Sequence, residues 1–207
     1  MIYQKIFNMD YKKIEISILN QKEWDILRII NKKLINNIHI DIMDWYFTES
    51  LSNINPFLLE TLNLENKKLH LHFMVNDIHK YYNHYSHFKN IEYLSYHFES
   101  NYKKDEYIKF NNNLRNKGIK VWLAINPDIE INDISKIIKK FDFILIMTVI
   151  PWKGWQSFIE DCWKKIQFFK DNYNIPIFID WWVNNIIYDK YSEIVDKFII
   201  WSYLFKI

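Results

Sequence analysis

The chain has 207 residues, and 49% of them are apolar, enough for the core of one large domain or two small ones. Its formal net charge of +2 gives no electrostatic case for a nucleic acid or a membrane surface as partner. The lone Cys162 excludes an internal disulfide and fits a reducing cytoplasm, and no apolar run reaches the roughly 18 residues of a membrane helix. We therefore expect a cytoplasmic protein with neither type of partner.

Eight short runs rich in β-branched and aromatic residues follow one another along the chain. They are KIEISIL (13–19), NIHIDIM (37–43), KLHLHFM (68–74), IEYLSYH (91–97), IKVWLAI (119–125), DFILIMT (142–148), IPIFID (175–180) and KFIIWS (197–202). Segments of helical length lie between them, for example 24–34, 105–118, 132–141 and 157–173. This alternation predicts a parallel sheet with helical crossovers, and eight units favour a (β/α)₈ barrel. A doubly wound open sheet is the alternative.

No linker or low-complexity stretch interrupts this pattern, so we expect a single domain over residues 1–207. Only a few residues follow the eighth run. A complete barrel carries a helix there, so we expect that the C-terminal helix is short or missing.

Candidate chemical groups lie at the predicted strand ends, where barrels carry their functional side chains. His39 and Asp41 alternate on the second run, His72 lies on the third, and Asp180 ends the seventh. Two imidazoles and two carboxylates suit a divalent metal ion. An isolated His-x-Asp strand is more often structural, but four such groups on three strand ends favour a site. Methionines at the same ends are, taken singly, ordinary barrel filler.

Several motifs together resemble the ribulose-phosphate 3-epimerase family. They are SIL (17–19), HIDIMD (39–44), HFMV (72–75), AINP (124–127), LIMTV with a later proline (145–151), GWQSFI (154–159) and FID (178–180). Their order and spacing match the family over about residues 13 to 205. No single motif is specific, but the set is.

The resemblance implies a (β/α)₈ barrel that interconverts D-ribulose 5-phosphate and D-xylulose 5-phosphate in the pentose phosphate pathway. It implies that His39, Asp41, His72 and Asp180 bind one divalent metal ion (Zn²⁺, Fe²⁺, Mn²⁺ or Co²⁺). Asp41 and Asp180 would also form the acid/base pair that moves protons at C3 through an enediolate. A hexulose 6-phosphate such as D-allulose 6-phosphate is an alternative substrate. The resemblance further implies a homo-oligomer.

The same resemblance implies a set of substrate-binding positions. They are Ser17, Met43, His72, Met74, Met147, Gly154, Trp155, Trp181, Trp182, Trp201 and Ser202. The serine and methionines would lie near the reacting carbons, and the positions from 154 onward would form the phosphate site.

Tryptophan stands where the family pattern has glycine. The chain has nine tryptophans and two glycines. Eight tryptophans occupy usual glycine positions, namely Trp24, Trp45, Trp122, Trp152, Trp155, Trp181, Trp182 and Trp201. If they are real, indoles fill the phosphate site, several positions need a positive φ, and the barrel is catalytically inactive. If UGA codons that the source reads as glycine were translated as tryptophan, the enzyme is intact. The second hypothesis suits a sequence rich in residues with AT-rich codons.

Overall fold

Eight parallel strands close into a barrel in the computed structural model, which describes residues 9–33, 35–52, 54–62, 64, 66–100, 104–150, 158–181 and 183–201. The strands are β1 (Ile14–Ser17), β2 (Asn37–Met43), β3 (Lys68–Met74), β4 (Ile91–His97), β5 (Lys120–Ile125), β6 (Phe143–Met147), β7 (Ile177–Asp180) and β8 (Lys197–Trp201). Each strand pairs with the next, and β1 pairs with β8. The predicted barrel is confirmed, and this last pairing excludes an open sheet.

Two strands, β1 and β7, are shorter than their sequence runs. The first run was predicted to continue to Leu19, but β1 ends at Ser17, whose hydroxyl accepts a hydrogen bond from the Leu19 amide. The seventh run was predicted to start at Ile175, but β7 starts after Pro176, which has no N–H to donate to a neighbouring strand. The bounds of β2, β3 and β4 are those predicted.

Helices connect the strands. They are α1 (Glu23–Ile30), α2 (Trp45–Thr48), α3 (Pro56–Thr61), α4 (Ile78–Tyr85), α5 (Lys104–Asn116), α6 (Ile131–Ile134), α7 (Cys162–Asn172) and α8 (Asn185–Tyr191), with 3₁₀ turns at Tyr11–Lys13 and Ile138–Lys140. Four of them follow a residue whose side chain accepts a hydrogen bond from the first turn, as Asp44 does before α2 and Asn184 before α8. The C-terminal helix, which we expected to be short or missing, would fall beyond residue 201, outside the described residues.

Two predicted helices were wrong in extent. The segment 132–141 forms α6 and a separate 3₁₀ turn, because Asn132, Asp133 and Ser135 compete with the helix for backbone hydrogen bonds. In the segment predicted as a helix over 157–173, the described residues 158–161 are not helical, and α7 begins at Cys162. The amide of Ile159 donates to the carbonyl of Thr148 at the end of β6, which keeps this stretch out of the helix.

Apolar side chains form two cores, one on each side of the barrel wall. The larger core lies between the strands and the helices and includes Ile26, Phe110 and Phe169. The smaller core contains Trp122 and Phe178, whose ring centroids lie 4.0 Å apart. In the part of the chain that the structure describes, no helix is both long and apolar enough to cross a membrane.

Candidate metal and catalytic site

Three strand ends bring together the four side chains predicted to bind a metal. His39 and Asp41 alternate on β2, so both point to the same face, and His72 on β3 stands beside Asp41 in the strand register. Asp180 is the last residue of β7. All four side chains are buried, and their ligand atoms lie within 4.8 Å of one another. The structure therefore confirms that these residues form one cluster.

The spacing of the donor atoms fits a tetrahedral metal site. Asp41 Oδ1 lies 3.2 Å from His39 Nε2 and 3.1 Å from His72 Nδ1, and these two nitrogens are 3.3 Å apart. Asp180 Oδ2 lies 3.5 Å from His39 Nε2 and 3.4 Å from His72 Nδ1. Metal–ligand bonds of about 2.0–2.2 Å in a tetrahedron place neighbouring donors about 3.3–3.6 Å apart. These four side chains could thus hold one Zn²⁺-sized ion with little rearrangement.

The electrostatic field at this cluster favours a positive charge. Burial alone lowers the pKa of His39, but the carboxylates of Asp41 and Asp180 outweigh it and raise that pKa to about 10. Oδ2 of Asp180 is buried and makes no hydrogen bond with any described residue. A buried carboxylate oxygen without a hydrogen-bonded partner is costly, and a bound cation removes that cost.

The two aspartates have different environments. Burial raises the pKa of Asp41, yet the charge of His39 and hydrogen bonds with His39 and His72 together hold it well below its usual value. The pKa of Asp180 is raised instead, chiefly because burial disfavours its charged form. Ser17 at the end of β1 donates a 2.6 Å hydrogen bond to Asp41 Oδ2. That bond further stabilises the ionised form of Asp41.

The imidazole of His97 contacts the Nε2 side of His72, opposite the nitrogen that faces Asp41 and Asp180. Nε2 of His72 lies 2.9 Å from Nε2 of His97 at the end of β4, and Nδ1 of His97 faces Glu99 at 3.5 Å. Burial lowers the pKa of His97, which favours its neutral form. If His72 binds a metal through Nδ1, its Nε2–H can donate to His97. Neither His97 nor Glu99 belongs to the predicted site.

A further buried group, Glu15 with His70, lies against His39 and was missed by the sequence interpretation. Its signal was present, because Glu15 shares a strand face with Ser17 and His70 shares one with His72. His70 lies 3.0 Å from His39, measured between their Nδ1 atoms. Both residues are fully buried.

The methionines predicted to contact a substrate lie in one apolar cluster. Met43, Met74 and Met147 end β2, β3 and β6, and all three are buried beside Trp181. Trp201, also predicted to bind substrate, is half-buried, stacks on Trp181 with ring centroids 5.9 Å apart and donates its indole N–H to the carbonyl of Leu19. The remaining predicted positions, Gly154, Trp155, Trp182 and Ser202, lie outside the described residues.

The tryptophans at expected glycine positions occupy different environments. Trp181 has a φ of 76°, a conformation that suits glycine, as the resemblance predicted for several of these positions. Trp122 instead lies within β5, with its indole fully buried inside the barrel. Trp24 and Trp45 lie in helices and are exposed. Among the described tryptophans, Trp181 alone thus has a positive φ, the backbone conformation that favours glycine.

The end of β7 is tied to β6 by Thr148. The hydroxyl of Thr148 donates toward the carbonyls of Asp180 and Trp181, at 2.7 and 2.5 Å, and its amide donates to Asp180 at 3.0 Å. These bonds hold the backbone of Asp180 where the strand turns with a positive φ at Trp181.

Comparison with known families gives a match over nearly the whole chain. The model of the ribulose-phosphate 3 epimerase family matches residues 13–205. A ribulose-phosphate 3-epimerase of Schizosaccharomyces pombe is 29% identical over 140 residues, which are 66% of this chain and 59% of that protein. One from Methanocaldococcus jannaschii is 26% identical over 159 residues, 72% of this chain and 64% of that protein. The matched part of the chain thus spans about six-tenths of the length of these relatives.

Solved structures with low sequence identity share the fold. A mutant tryptophan synthase alpha-subunit from Pyrococcus furiosus superposes with a TM-score of 0.67 at 8% identity, covering 94% of this chain and 89% of that one. Orotidine 5'-monophosphate decarboxylase from Sulfolobus solfataricus gives a TM-score of 0.62 at 10% identity, covering 92% and 88%. At these identities the likeness concerns the barrel alone.

Proposed function

The chain belongs to the ribulose-phosphate 3-epimerase family, and from that premise we propose that it is a metal-dependent isomerase that interconverts D-ribulose 5-phosphate and D-xylulose 5-phosphate. The observation that carries the proposal is the buried cluster of His39, Asp41, His72 and Asp180 at the strand ends. It contains both a set of metal ligands and two carboxylates in unlike environments.

The two aspartates provide the proton transfers. Epimerisation at C3 removes a proton next to the C2 carbonyl, forms an enediolate, and returns a proton to the opposite face of C3. Asp41 and Asp180 come from β2 and β7, so the proposal places one on each face of the substrate. Because the pKa of Asp41 is lowered and that of Asp180 is raised, Asp180 accepts a proton more readily than Asp41. Such a difference suits one carboxyl group to the acid role and the other to the base role, and the reverse reaction exchanges the roles.

His39, Asp41, His72 and Asp180 would hold the metal ion. When bound, a divalent ion polarises the carbonyl and stabilises the negative charge that develops on its oxygen. The His₂Asp₂ donor set accepts Zn²⁺, Fe²⁺, Mn²⁺ or Co²⁺.

The apolar cluster of Met43, Met74 and Met147 would cover the reacting part of the sugar and exclude water from it. The phosphate would bind near the ends of β6 to β8, at positions that include Gly154, Trp155, Trp181, Trp182, Trp201 and Ser202. A hexulose 6-phosphate such as D-allulose 6-phosphate is the alternative substrate within the same chemistry. Steady-state kinetics with both sugars would separate them through kcat/KM.

A catalytically inactive barrel is the second candidate, favoured by the stack of Trp181 on Trp201 near the end of β7. Indoles at that place would occupy the space of a phosphate. Against it, we propose that these tryptophans are glycines read from UGA codons. UGG codons at positions 152, 155, 181 and 182 would refute this, as would tryptophan in peptide masses of the protein isolated from its source.

One experiment separates the two candidates. The chain with its tryptophans and a version with glycine at the eight tryptophan positions named above are both assayed for metal-dependent exchange of the C3 proton with solvent. We expect exchange in the glycine version and none in the tryptophan version. Absence of exchange in both, with the four ligands intact, would favour the inactive barrel.

We also propose a single domain over residues 1–207, a cytoplasmic location and a homo-oligomer. The uninterrupted barrel topology supports the single domain. The buried, unpaired Cys162 is compatible with a reducing compartment. Sedimentation analysis tests the oligomeric state.

A further inference from the structure

The short helix α2 places one aromatic side chain beside the candidate site. It follows β2 almost directly and has four residues, Trp45–Thr48. Trp45 and Tyr46 are 62% and 88% exposed, whereas Phe47 is half-buried. Phe47 packs against the apolar cluster that contains the three methionines, and its ring centroid lies 5.1 Å from that of His97. One side of α2 thus borders the place where the reacting part of the sugar would lie.

A helix of this length does not fix its own orientation. Nucleation of a helical turn is unfavourable, and an isolated helix shorter than about 12–15 residues is marginal in water. The helix ends at Glu49, whose φ of 51° is a left-handed conformation that is costly for a residue other than glycine. The direction of Phe47 therefore depends on contacts that hold α2 from outside.

Asp44, the buried residue before α2, makes two such contacts with its carboxylate. Oδ1 accepts a 2.8 Å hydrogen bond from the amide of Phe47, which caps the helix. Oδ2 accepts a 2.9 Å hydrogen bond from the amide of Asn76 in the loop after β3. The amide of Asp44 also donates to the carbonyl of Met74 at 3.2 Å. One side chain therefore joins α2 to the loop that follows the neighbouring strand.

We propose that Asp44 is a positioning residue that holds Phe47 against His97 and the methionines, so that Phe47 forms one wall of the sugar site. The inference rests on the proposed function, since it assumes that the sugar reacts beside the methionines. His97 lies 2.9 Å from His72, so this wall borders the metal site on the side of β4. An apolar ring there would exclude water from the enediolate and restrict how the sugar can shift.

Two other roles for Asp44 fit its contacts less well. A helix cap alone needs one oxygen, as Asn55 shows before α3 by accepting from the amide of Leu58. The second oxygen of Asp44 bonds instead to a residue 32 positions further along the chain. A metal ligand is the other role, but both oxygens already accept backbone amides. Within the described part of the chain, neither compact group of possible metal ligands includes Asp44.

The first test locates Phe47 in the unaltered chain and in two variants. Asp44→Ala removes both carboxylate bonds, and the control Asn55→Ala removes the cap of the next helix on the same crossover. The nuclear Overhauser effect between the ring protons of Phe47 and His97 reports the distance between the rings. We expect loss of this signal in Asp44→Ala and its retention in Asn55→Ala. An unchanged signal in folded Asp44→Ala would overturn the positioning role.

The second test measures catalysis in the version with glycine at the eight tryptophan positions. Asp44→Ala and Phe47→Ala should each lower kcat for epimerisation by about 10- to 100-fold, because misplacement of the sugar by about 1 Å has an effect of that size. Phe47→Leu, which keeps apolar bulk, should lose less, and Asn55→Ala should lose nothing. Zn²⁺ affinity, measured by competition with a chromogenic chelator, should not change. A merely structural role would lower the Tm of Asp44→Ala and leave kcat of the folded enzyme as it was.

The outcomes separate this inference from the proposed function. Unchanged kcat in Asp44→Ala, in an otherwise active glycine version, would overturn the inference and leave the proposed function standing. Loss of Zn²⁺ affinity in Asp44→Ala would show that the change reaches the metal ligands and would overturn the role given to Phe47. No C3 proton exchange by the glycine version itself would overturn the proposed function and the wall with it.

Two further variants decide the case if Asp44→Ala does not fold. Phe47→Ala then carries the kinetic test, and unchanged kcat in that variant would overturn the wall. Asp44→Asn carries the structural test, because it keeps one oxygen and turns an NH₂ group toward the second amide. We expect a weaker signal between Phe47 and His97 in Asp44→Asn, and a signal of full intensity would overturn the role of Asp44.

Discussion

The hydroxyl of Ser17 donates a 2.6 Å hydrogen bond to Oδ2 of Asp41, while Oδ1 of the same carboxylate faces the imidazoles of His39 and His72. The two oxygens of Asp41 are thus used differently. Ser17 fixes the orientation of the carboxylate and holds it ionised, although sequence resemblance placed this serine near the substrate.

In the version with glycine at the eight tryptophan positions, Ser17→Ala should lower kcat for C3 epimerisation by roughly 10- to 100-fold, since a hydrogen bond to a charged group is worth about 1.5–3 kcal/mol. The KM should change less, because the bond acts on a catalytic carboxylate. Ser86→Ala, which removes an exposed serine that donates to a nearby backbone carbonyl, is the matched control. An unchanged kcat in Ser17→Ala would contradict this role.

In the version with glycine at the eight tryptophan positions, Asp41→Asn and Asp180→Asn should each lower C3 proton exchange by about 10² to 10⁴-fold at saturating metal, because each removes one partner of the acid/base pair. Asp171→Asn, on the exposed side of α7, should be neutral. Exchange is measured by loss of isotope from C3 in labelled water. Full exchange in Asp180→Asn would refute its assigned role.

Removal of metal should destabilise the protein, since the two buried carboxylates of Asp41 and Asp180 then lose the divalent charge that pairs with them. Free metal at 100 times its Kd stabilises the fold by about 2.7 kcal/mol. For a chain of this size that corresponds to a Tm increase of roughly 5–10 °C. Zn²⁺, Mn²⁺ or Co²⁺ added after chelation should restore the Tm, and Mg²⁺, which prefers six oxygen ligands, should not. His72→Ala should abolish the response, and a full response in that variant would exclude His72 as a ligand.

Glycine substitutions at Trp122 and Trp181 should differ in cost. Loss of the buried Trp122 indole should reduce the free energy of unfolding by about 3–5 kcal/mol, with roughly 1 kcal/mol more for glycine in a strand. Trp181→Gly loses a similar buried ring but relieves a positive φ that costs about 1–3 kcal/mol. Urea denaturation should therefore show the smaller loss for Trp181→Gly. Equal losses would mean that the turn after β7 is not strained.

Cys162 should be unreactive in the folded protein. Burial raises the pKa of its thiol to about 11, so the thiolate forms more readily in the unfolded chain. This contribution to stability is fully present below the ordinary thiol pKa of about 8.5 and is lost as pH rises toward 11, by at most about 1.4 kcal/mol per pH unit. The free energy of unfolding of the unaltered protein should fall faster between pH 8 and 10 than that of Cys162→Ala. Parallel curves, or rapid labelling of the native thiol at pH 8, would contradict this.

The sequence was sufficient for β2 and β3, which carry three of the four candidate ligands. The bounds of β2, β3 and β4 follow from runs in which apolar residues alternate with polar ones, and the face shared by His39 and Asp41 follows from the two-residue period of a strand. Helix ends were less predictable. The amide of Ile159 bonds to the carbonyl of Thr148, a tertiary contact that delays the start of α7 and that no local pattern contains.

The sequence by itself determined the alternation of strands and helices, the placement of two aspartates and two histidines at strand ends, and the excess of tryptophan over glycine. These are local properties, set by side-chain chemistry and by the period of a strand. Only the tertiary structure decided that Glu15 lies against His39 and His70, and that Ser17 bonds to Asp41. The reason is the pairing of β1 with β2 and of β2 with β3 in a curved barrel wall, which brings inward side chains that are far apart in the chain within a few ångströms of one another.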